Sequence, residues 1–147
     1  LVSLMKENIK LVNEIDKSIQ IEFTKNLDKI VLNSDKEQIS RVFFNLIKNS
    51  IESIQQKAEN DSKFNKKITI ELSEIDDHIY IVIVDSGIGF SKVSSNIKDI
   101  LNPYFTTKKN GTGLGLSIVN KIISDHNGKI DFVSISDGAK IKIDFIK

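Results

Sequence analysis

Apolar positions open the chain at helical spacing. Leu4, Met5, Ile9, Leu11, Val12 and Ile15 predict one amphipathic helix over roughly residues 1–18. Ile19, Ile21 and Phe23 then alternate, and Ile30-Val31-Leu32 is a second short apolar stretch, so two short strands are expected. Asp35 stands where an N-cap should, with Gln38 three residues on as its capping-box partner. The helix it opens runs to about Lys57 and turns Ile39, Val42, Phe43, Leu46, Ser50 and Ile54 inward. After a polar loop over 58–67, Ile68, Ile70 and Leu72 alternate with Thr69, Glu71 and Ser73, which predicts a strand with one wet face. Asp76-Asp77 marks a hairpin turn, and Ile79 to Val84 reads as a central strand, apolar on both faces. Helical spacing returns from Leu114 to His126 and stops at Asn127-Gly128. Two strands, Lys129–Ser136 and Ala139–Ile146, follow around Asp137-Gly138.

The predicted order is α-β-β-α-β-β-loop-α-β-β. It implies an α/β (α+β) two-layer sandwich, a mixed sheet covered on one face by about three helices. The 147 residues fit a single domain over 1–147. Apolar residues at 39% suffice for one core, and a net charge of +1 gives no field that argues for nucleic acid. Lysine carries nearly all the positive charge, since Arg41 is the only arginine. The absence of cysteine excludes disulfides and thiolate metal sites and suits a reducing cytoplasm. No apolar run approaches the ~20 residues that span a bilayer, so no direct membrane contact is expected. The chain begins with Leu, and both ends read as cut from a longer parent, which leaves anchoring of that parent in an inner membrane open.

Residues 85–115 break the pattern and hold five of the seven glycines and the only proline, Pro103. Long loops inside compact domains are usually functional. Four pieces around this window carry chemistry. Asn45 and Asn49 are four apart, hence on one helix face, and Glu52 continues the stripe. An amide oxygen suits Mg²⁺, which keeps several waters and takes few protein ligands; the plainer reading is two solvated amides. Asp85-Ser86-Gly87-Ile88-Gly89-Phe90 follows the central strand. Its carboxylate can accept from an exocyclic amine, and its glycines let backbone approach a flat ring; the plainer reading is a strand-ending turn. Asn102-Pro103-Tyr104-Phe105-Thr106-Thr107-Lys108 sets aromatics beside hydroxyls and a lysine. Phe105 could dock the loop while Lys108 faces phosphate; the plainer reading is a surface loop pinned by an aromatic. Gly111-Thr112-Gly113-Leu114-Gly115-Leu116 opens a helix, where exposed N–H groups and the positive dipole end cradle phosphate. The spacing is neither that of a dinucleotide fold nor that of a Walker loop.

Taken in this order, the four pieces resemble the N, G1, F and G2 boxes of the Bergerat ATP-binding fold, and most closely the catalytic domain of sensor histidine kinases. The resemblance runs from about Asp35 to Phe145. Asn-Leu-Ile-Lys-Asn-Ser-Ile-Glu-Ser and Phe-Thr-Thr-Lys look like the nitrogen-regulation, NtrY/NtrB-like branch. The resemblance implies ATP and Mg²⁺ as cofactors. It gives Mg²⁺ to Asn49, the adenine amine to Asp85 and the base pocket to Gly87 and Gly89. The phosphates fall to Gly111, Thr112, Gly113, Leu114 and Gly115. Phe105, Thr106 and Thr107 join the cofactor site, Asn45 and Lys108 take catalytic roles, and residues 91–112 form an ATP lid. It also implies a dimerisation/phosphoacceptor histidine domain of the same parent and a response regulator as partners.

Where hydrolysing relatives carry a Glu that activates water, this chain has Asn45, and a neutral amide is no general base near neutral pH. Phosphoryl transfer to another protein group is therefore expected over efficient hydrolysis. The only histidines, His78 and His126, lie outside any phosphoacceptor context. His126 resembles the family's His-Gly-Gly helix terminus and is read as structural. The fragment is thus not expected to phosphorylate itself, and its first helix can include the tail of a dimerisation helix. The alternative is a nucleotide-gated interaction module, or an ATPase of the same fold without kinase turnover. A metal-dependent hydrolase fails for want of His/Asp/Glu clusters.

Overall fold

The computed structural model describes residues 1–90, 97–104 and 113–147. In chain order these form α1 (Val2–Asn13), β1 (Gln20–Lys25), α2 (Lys36–Ala58), β2 (Lys67–Ile75) and β3 (His78–Asp85). A short 3₁₀ turn (Ile97–Leu101), α3 (Gly115–Asp125), β4 (Gly128–Ile135) and β5 (Gly138–Ile146) complete them. The sheet order is β1-β2-β3-β5-β4, with β1 and β2 parallel and every other pair antiparallel. The parallel pair needs a long crossover, and α2 supplies it. The expected mixed sheet with three helices is therefore present.

Register explains the core. Ile70 pairs with Ile83 and Ile83 with Ile141, while Leu72 pairs with Ile81 and Ile81 with Ile143. All six are buried and join one apolar cluster with Phe43, Leu46, Ile47 and Ile51 of α2 and Val119 and Ile123 of α3. The alternate residues form the other face, where the row Glu71, Val82, Lys142, Asp131 crosses four strands. Central β3 is thus fully buried on one face only, and Tyr80, Val82 and Val84 are half-covered by charged neighbours. This corrects the expectation of a strand buried on both faces. Branched apolar residues suit a pleated surface without requiring a second layer.

Four further expectations shift. The first helix ends at Asn13, short of residue 18. Asp16 Oδ1 accepts from the backbone N–H of Ser18 at 2.9 Å and from its hydroxyl at 2.6 Å, a local turn that competes with helix. Ile30 to Leu32 joins no ladder. Ile30 is buried and Val31 exposed, so the alternation there records burial without pairing. The capping box is half formed: Asp35 accepts from the N–H groups of Glu37 and Gln38 at 2.9 and 3.0 Å. The N–H of Asp35, however, donates to Nε2 of His126 at 3.1 Å, taking the bond expected from the Gln38 side chain. Within the window read as patternless loop, the 3₁₀ turn buries Ile100 beside α3.

Candidate functional site

The site assembles where β3 ends, along one face of α2 and at the start of α3. Asp85 is the last residue of β3 and is only 5% exposed. The chain turns immediately after it, and every neighbour holds that turn. Gly87 N–H donates to Asp85 Oδ1 at 2.9 Å, and Ile88 N–H donates to Ser53 Oγ of α2 at 3.1 Å. The Ser86 carbonyl accepts from Lys57 Nζ at 3.0 Å, and the same ammonium reaches Asp137 Oδ1 at 2.5 Å in the β4–β5 turn. Lys57 also lies 4.4 Å over the Phe64 ring. A Cβ on Gly87 would sit 2.1 Å from Ser53 Oγ, so only glycine lets the turn lie this close to α2.

Burial raises the Asp85 pKa above 3.8. The Gly87 N–H, the Ser50 hydroxyl, the Ala139 N–H and the charge of Lys57 act the other way and only partly offset it. Ser50 lies on the buried side of α2 and is 2% exposed. Its hydroxyl comes near enough to favour the carboxylate, yet it completes no well-formed hydrogen bond with any group.

Asn45 and Asn49 occupy successive turns of α2, both half-buried. Asn45 Nδ2 donates to the Arg41 carbonyl at 2.8 Å, which fixes the amide. Its Oδ1 is 3.9 Å from the place a Cβ would take on Gly115, the first residue of α3. The N-box face and the glycine-rich helix start are therefore adjacent. Among the described residues no side-chain hydrogen bond caps the first turn of α3. Gly113 has φ +70° and packs on the Tyr104 backbone, where a Cβ would meet the carbonyl carbon at 2.3 Å.

The structure thus sets Asn45, one turn from Asn49 on α2, beside Gly115, and farther along the same helix packs the Asp85–Gly89 turn against Ser53 and Gly138. Phe105, Thr106, Thr107, Lys108, Gly111 and Thr112 lie outside the described residues, as does most of the expected lid. Four residues that the sequence reading did not assign also shape the site: Ser50, Ser53, Lys57 and Gly138. Gly138 has φ +120°, and a Cβ there would lie 1.8 Å from the Asp85 carbonyl oxygen. It had read only as a hairpin residue, and nothing in the local sequence says that its turn abuts the end of β3.

These groups fit a purine nucleotide and its metal. A buried carboxylate beside a glycine-walled turn suits an exocyclic amine, and a neighbouring orphan hydroxyl suits a ring nitrogen. Among the described residues no cluster of three or more His, Cys, Asp or Glu forms a cage for a metal. Two amides beside an uncapped helix suit a cation that keeps waters and takes phosphate oxygens. The depression on the uncovered sheet face, between Tyr80, Val82, Lys142 and Asp131, is open and crossed by opposite charges and has no such convergence.

His78 and His126 are far from this constellation. His78 Nδ1 donates to Asp144 Oδ1 at 2.7 Å, and its ring stacks on Tyr80. His126 Nδ1 donates to the Ile122 carbonyl at 2.7 Å while Nε2 accepts from Asp35 N–H, which defines a neutral Nδ1–H ring.

Residues 34–146 match the family model described as histidine kinase-, DNA gyrase B- and HSP90-like ATPase. The chain is 33% identical over 146 residues to a putative NtrY-like sensor histidine kinase of Rickettsia felis, covering 99% of this chain and 23% of that protein. It is 32% identical over 135 residues to the sensor histidine kinase ZraS of Escherichia coli O157:H7, covering 90% and 27%. The chain therefore spans about a quarter of the length of these relatives. Among solved structures, the nucleotide-free catalytic domain of histidine kinase ThkA superposes with a TM-score of 0.82 at 30% identity, covering 100% of this chain and 92% of that one. ThkA in complex with the response regulator protein TrrA gives a TM-score of 0.74 at 26% identity, covering 100% and 40%.

Proposed function

Because the chain belongs to the histidine kinase-, DNA gyrase B- and HSP90-like ATPase family, we propose that it is the catalytic domain of a sensor histidine kinase. In this reading it binds ATP with Mg²⁺ and passes the γ-phosphate to a histidine on the dimerisation/phosphoacceptor domain of its parent. The observation that carries the reading is α2, which lies against the turn after buried Asp85 through Ser53 and sets Asn45 beside the start of α3.

Asp85 accepts from the adenine amine, with Gly87 and Gly89 forming the wall of the base pocket. Asn49 holds Mg²⁺, whose charge neutralises developing charge on the phosphates when it is bound. Gly113, Leu114 and Gly115 offer backbone N–H groups to phosphate, and Asn45 orients the reacting end without acting as a base. On the sequence resemblance alone, Gly111 and Thr112 extend the phosphate cradle and Lys108 faces the transferred group. Phe105, Thr106 and Thr107 likewise belong to the lid over 91–112.

The whole chain is assigned as one ATP-binding domain, with α1 as the end nearest the dimerisation domain. A response regulator is the downstream partner, as ThkA is paired with TrrA. The domain is assigned to the cytoplasm, and its parent to a membrane anchor. Among the described residues no helix is long and apolar enough to cross a membrane.

The test is transfer in trans. The chain, Mg²⁺ and γ-labelled ATP are incubated with the histidine-bearing helical domain of the parent, and label on that histidine is the expected result. Asn49→Ala should abolish labelling and remove the Mg²⁺-dependent part of ATP binding in calorimetry. Nucleotide binding without any transfer would favour a nucleotide-gated interaction module.

A further inference from the structure

We propose that Lys57 is a positioning residue for nucleotide binding, its ammonium holding the Ser86–Gly87 peptide that presents a hydrogen-bond donor to Asp85. The proposal rests on the assignment of Asp85 to the adenine amine.

Lys57 stands in the last turn of α2, where a cation can serve the helix dipole from solvent. Its side chain is instead only 15% exposed, while its ion-pair partner Asp137 is 76% exposed. A pair with so exposed a partner is worth little, and a buried ammonium costs the fold unless polar groups meet it. The group that meets it inside is the Ser86 carbonyl, 3.0 Å from Nζ, with the Phe64 ring 4.4 Å away. The Ser86 carbonyl and the Gly87 N–H are the two ends of one planar peptide. That N–H donates to Asp85 Oδ1 at 2.9 Å. Fixing the carbonyl therefore fixes the donor, and a charge at the oxygen polarises the N–H toward the carboxylate. Ser53, one turn earlier on the same helix face, accepts from Ile88 N–H at 3.1 Å. The two side chains thus hold the chain on either side of Gly87. The charge of Lys57 also favours the ionised form of Asp85, against burial. Other charged groups meet this turn without taking that place. Asp137 shares the Lys57 ammonium. Lys67 bonds Ser86 through its backbone N–H, and its own ammonium pairs with Glu22 at 2.8 Å.

The experiment is equilibrium binding, with Mg²⁺, of ATP and of purine riboside triphosphate (which lacks the amine), at pH 7 and at stepwise lower pH. Wild type, Lys57→Met, Lys57→Gln and Asp85→Asn are compared, and nucleotide-free unfolding serves as the folding control. Lys57→Met keeps the length of the side chain and removes donor and charge. It should lower the preference for ATP over purine riboside triphosphate about three- to tenfold by weakening ATP alone. The preference that remains should fade at a higher pH than in wild type, because Asp85 takes up its proton earlier without the neighbouring cation. A lysine that only braces the fold would weaken both nucleotides alike and leave the pH profile in place. If Lys57→Met keeps the wild-type preference at every pH, or weakens the two nucleotides equally, the proposal fails. Should Lys57→Met not unfold cooperatively, Lys57→Gln, which keeps a donor without the charge, is held to the same pH profile. Asp85→Asn should erase the preference for ATP. If it does not, the nucleotide assignment of Asp85 fails instead, whatever the Lys57 variants do.

Discussion

Asp85 carries opposite demands from folding and from the nucleotide binding proposed for it. Burial raises its pKa above 3.8, so the folded chain holds the proton more tightly than the unfolded chain does. The stability linked to that proton is fully present below pH 3.8 and is lost as the pH rises through the higher folded value. At neutral pH the ionised carboxylate is therefore a net cost to the fold. Asp85→Asn keeps the acceptor for Gly87 N–H and removes the charge. Its urea midpoint should exceed that of wild type at pH 7, and the gap should close as the pH is lowered toward 3.8, while ATP binding weakens. A variant less stable than wild type at pH 7 would mean that Lys57 and the surrounding donors outweigh burial. The place of Asp85 at the end of a central strand was legible in the sequence, because an apolar run precedes it and Gly-x-Gly follows; the same pattern also reads as a plain strand-ending turn. Asn45 and Asn49 were legible through their spacing of four. Ser50, Ser53, Lys57 and Gly138 were not, because each matters only through what another segment brings against it. Ser50 looked like one more inward position of α2, and Gly138 like an ordinary turn glycine.

The element that organises the site is α2, whose two ends are held in different ways. At its C-terminal end Lys57 ties the helix to the Ser86 carbonyl and to Asp137. At its N-terminal end the Asp35 carboxylate caps two N–H groups, and His126 at the end of α3 accepts a third. His126 thereby links the start of the helix bearing Asn45 and Asn49 to the end of the helix whose other end abuts Asn45. Asp35→Ala should destabilise the domain by about 1 kcal/mol, the usual worth of such a cap. His126→Ala leaves the Asp35 N–H and the Ile122 carbonyl without their shared partner and should cost about 1 kcal/mol, since water reaches this end of the helix. Both are checked by chemical denaturation of the nucleotide-free chain. A His126 variant as stable as wild type would mean that solvent replaces the ring completely. The same helix shows how far periodicity reaches. Its start, length and buried side followed from Asp35 and from apolar residues at 3.6 spacing, because those signals are local. The end of α1 at Asn13 and the absence of a strand at Ile30 did not follow. The first depends on an Asp16–Ser18 turn competing with helix, and the second on whether a neighbouring strand offers an open edge.

Across the whole molecule, distance separates the proposed phosphate site from both histidines of the chain. The candidate site lies at the Asp85 end of β3, and His78 opens the same strand. Seven residues of extended chain place them about 23 Å apart. His126 follows α3 while Gly115 begins it, and eleven residues of helix separate them by about 16 Å. In-line phosphoryl transfer needs reacting atoms about 3–3.5 Å apart, so neither imidazole reaches the site without unfolding an element. Each ring is also engaged where it stands, His78 with Asp144 and His126 with Asp35 and Ile122. Water is not a ready substitute acceptor, because Asn45, fixed by the Arg41 carbonyl beside Gly115, cannot take a proton from it. The isolated chain should therefore bind nucleotide yet turn it over very slowly. Incubated with Mg²⁺ and γ-labelled ATP, it should stay unlabelled and release little phosphate, and His78→Gln should behave as wild type. Label on His78 or His126 would require two copies to meet with one site against the other's histidine. Brisk phosphate release would show that some other group activates water, and the chain would then belong with the hydrolysing members of its family.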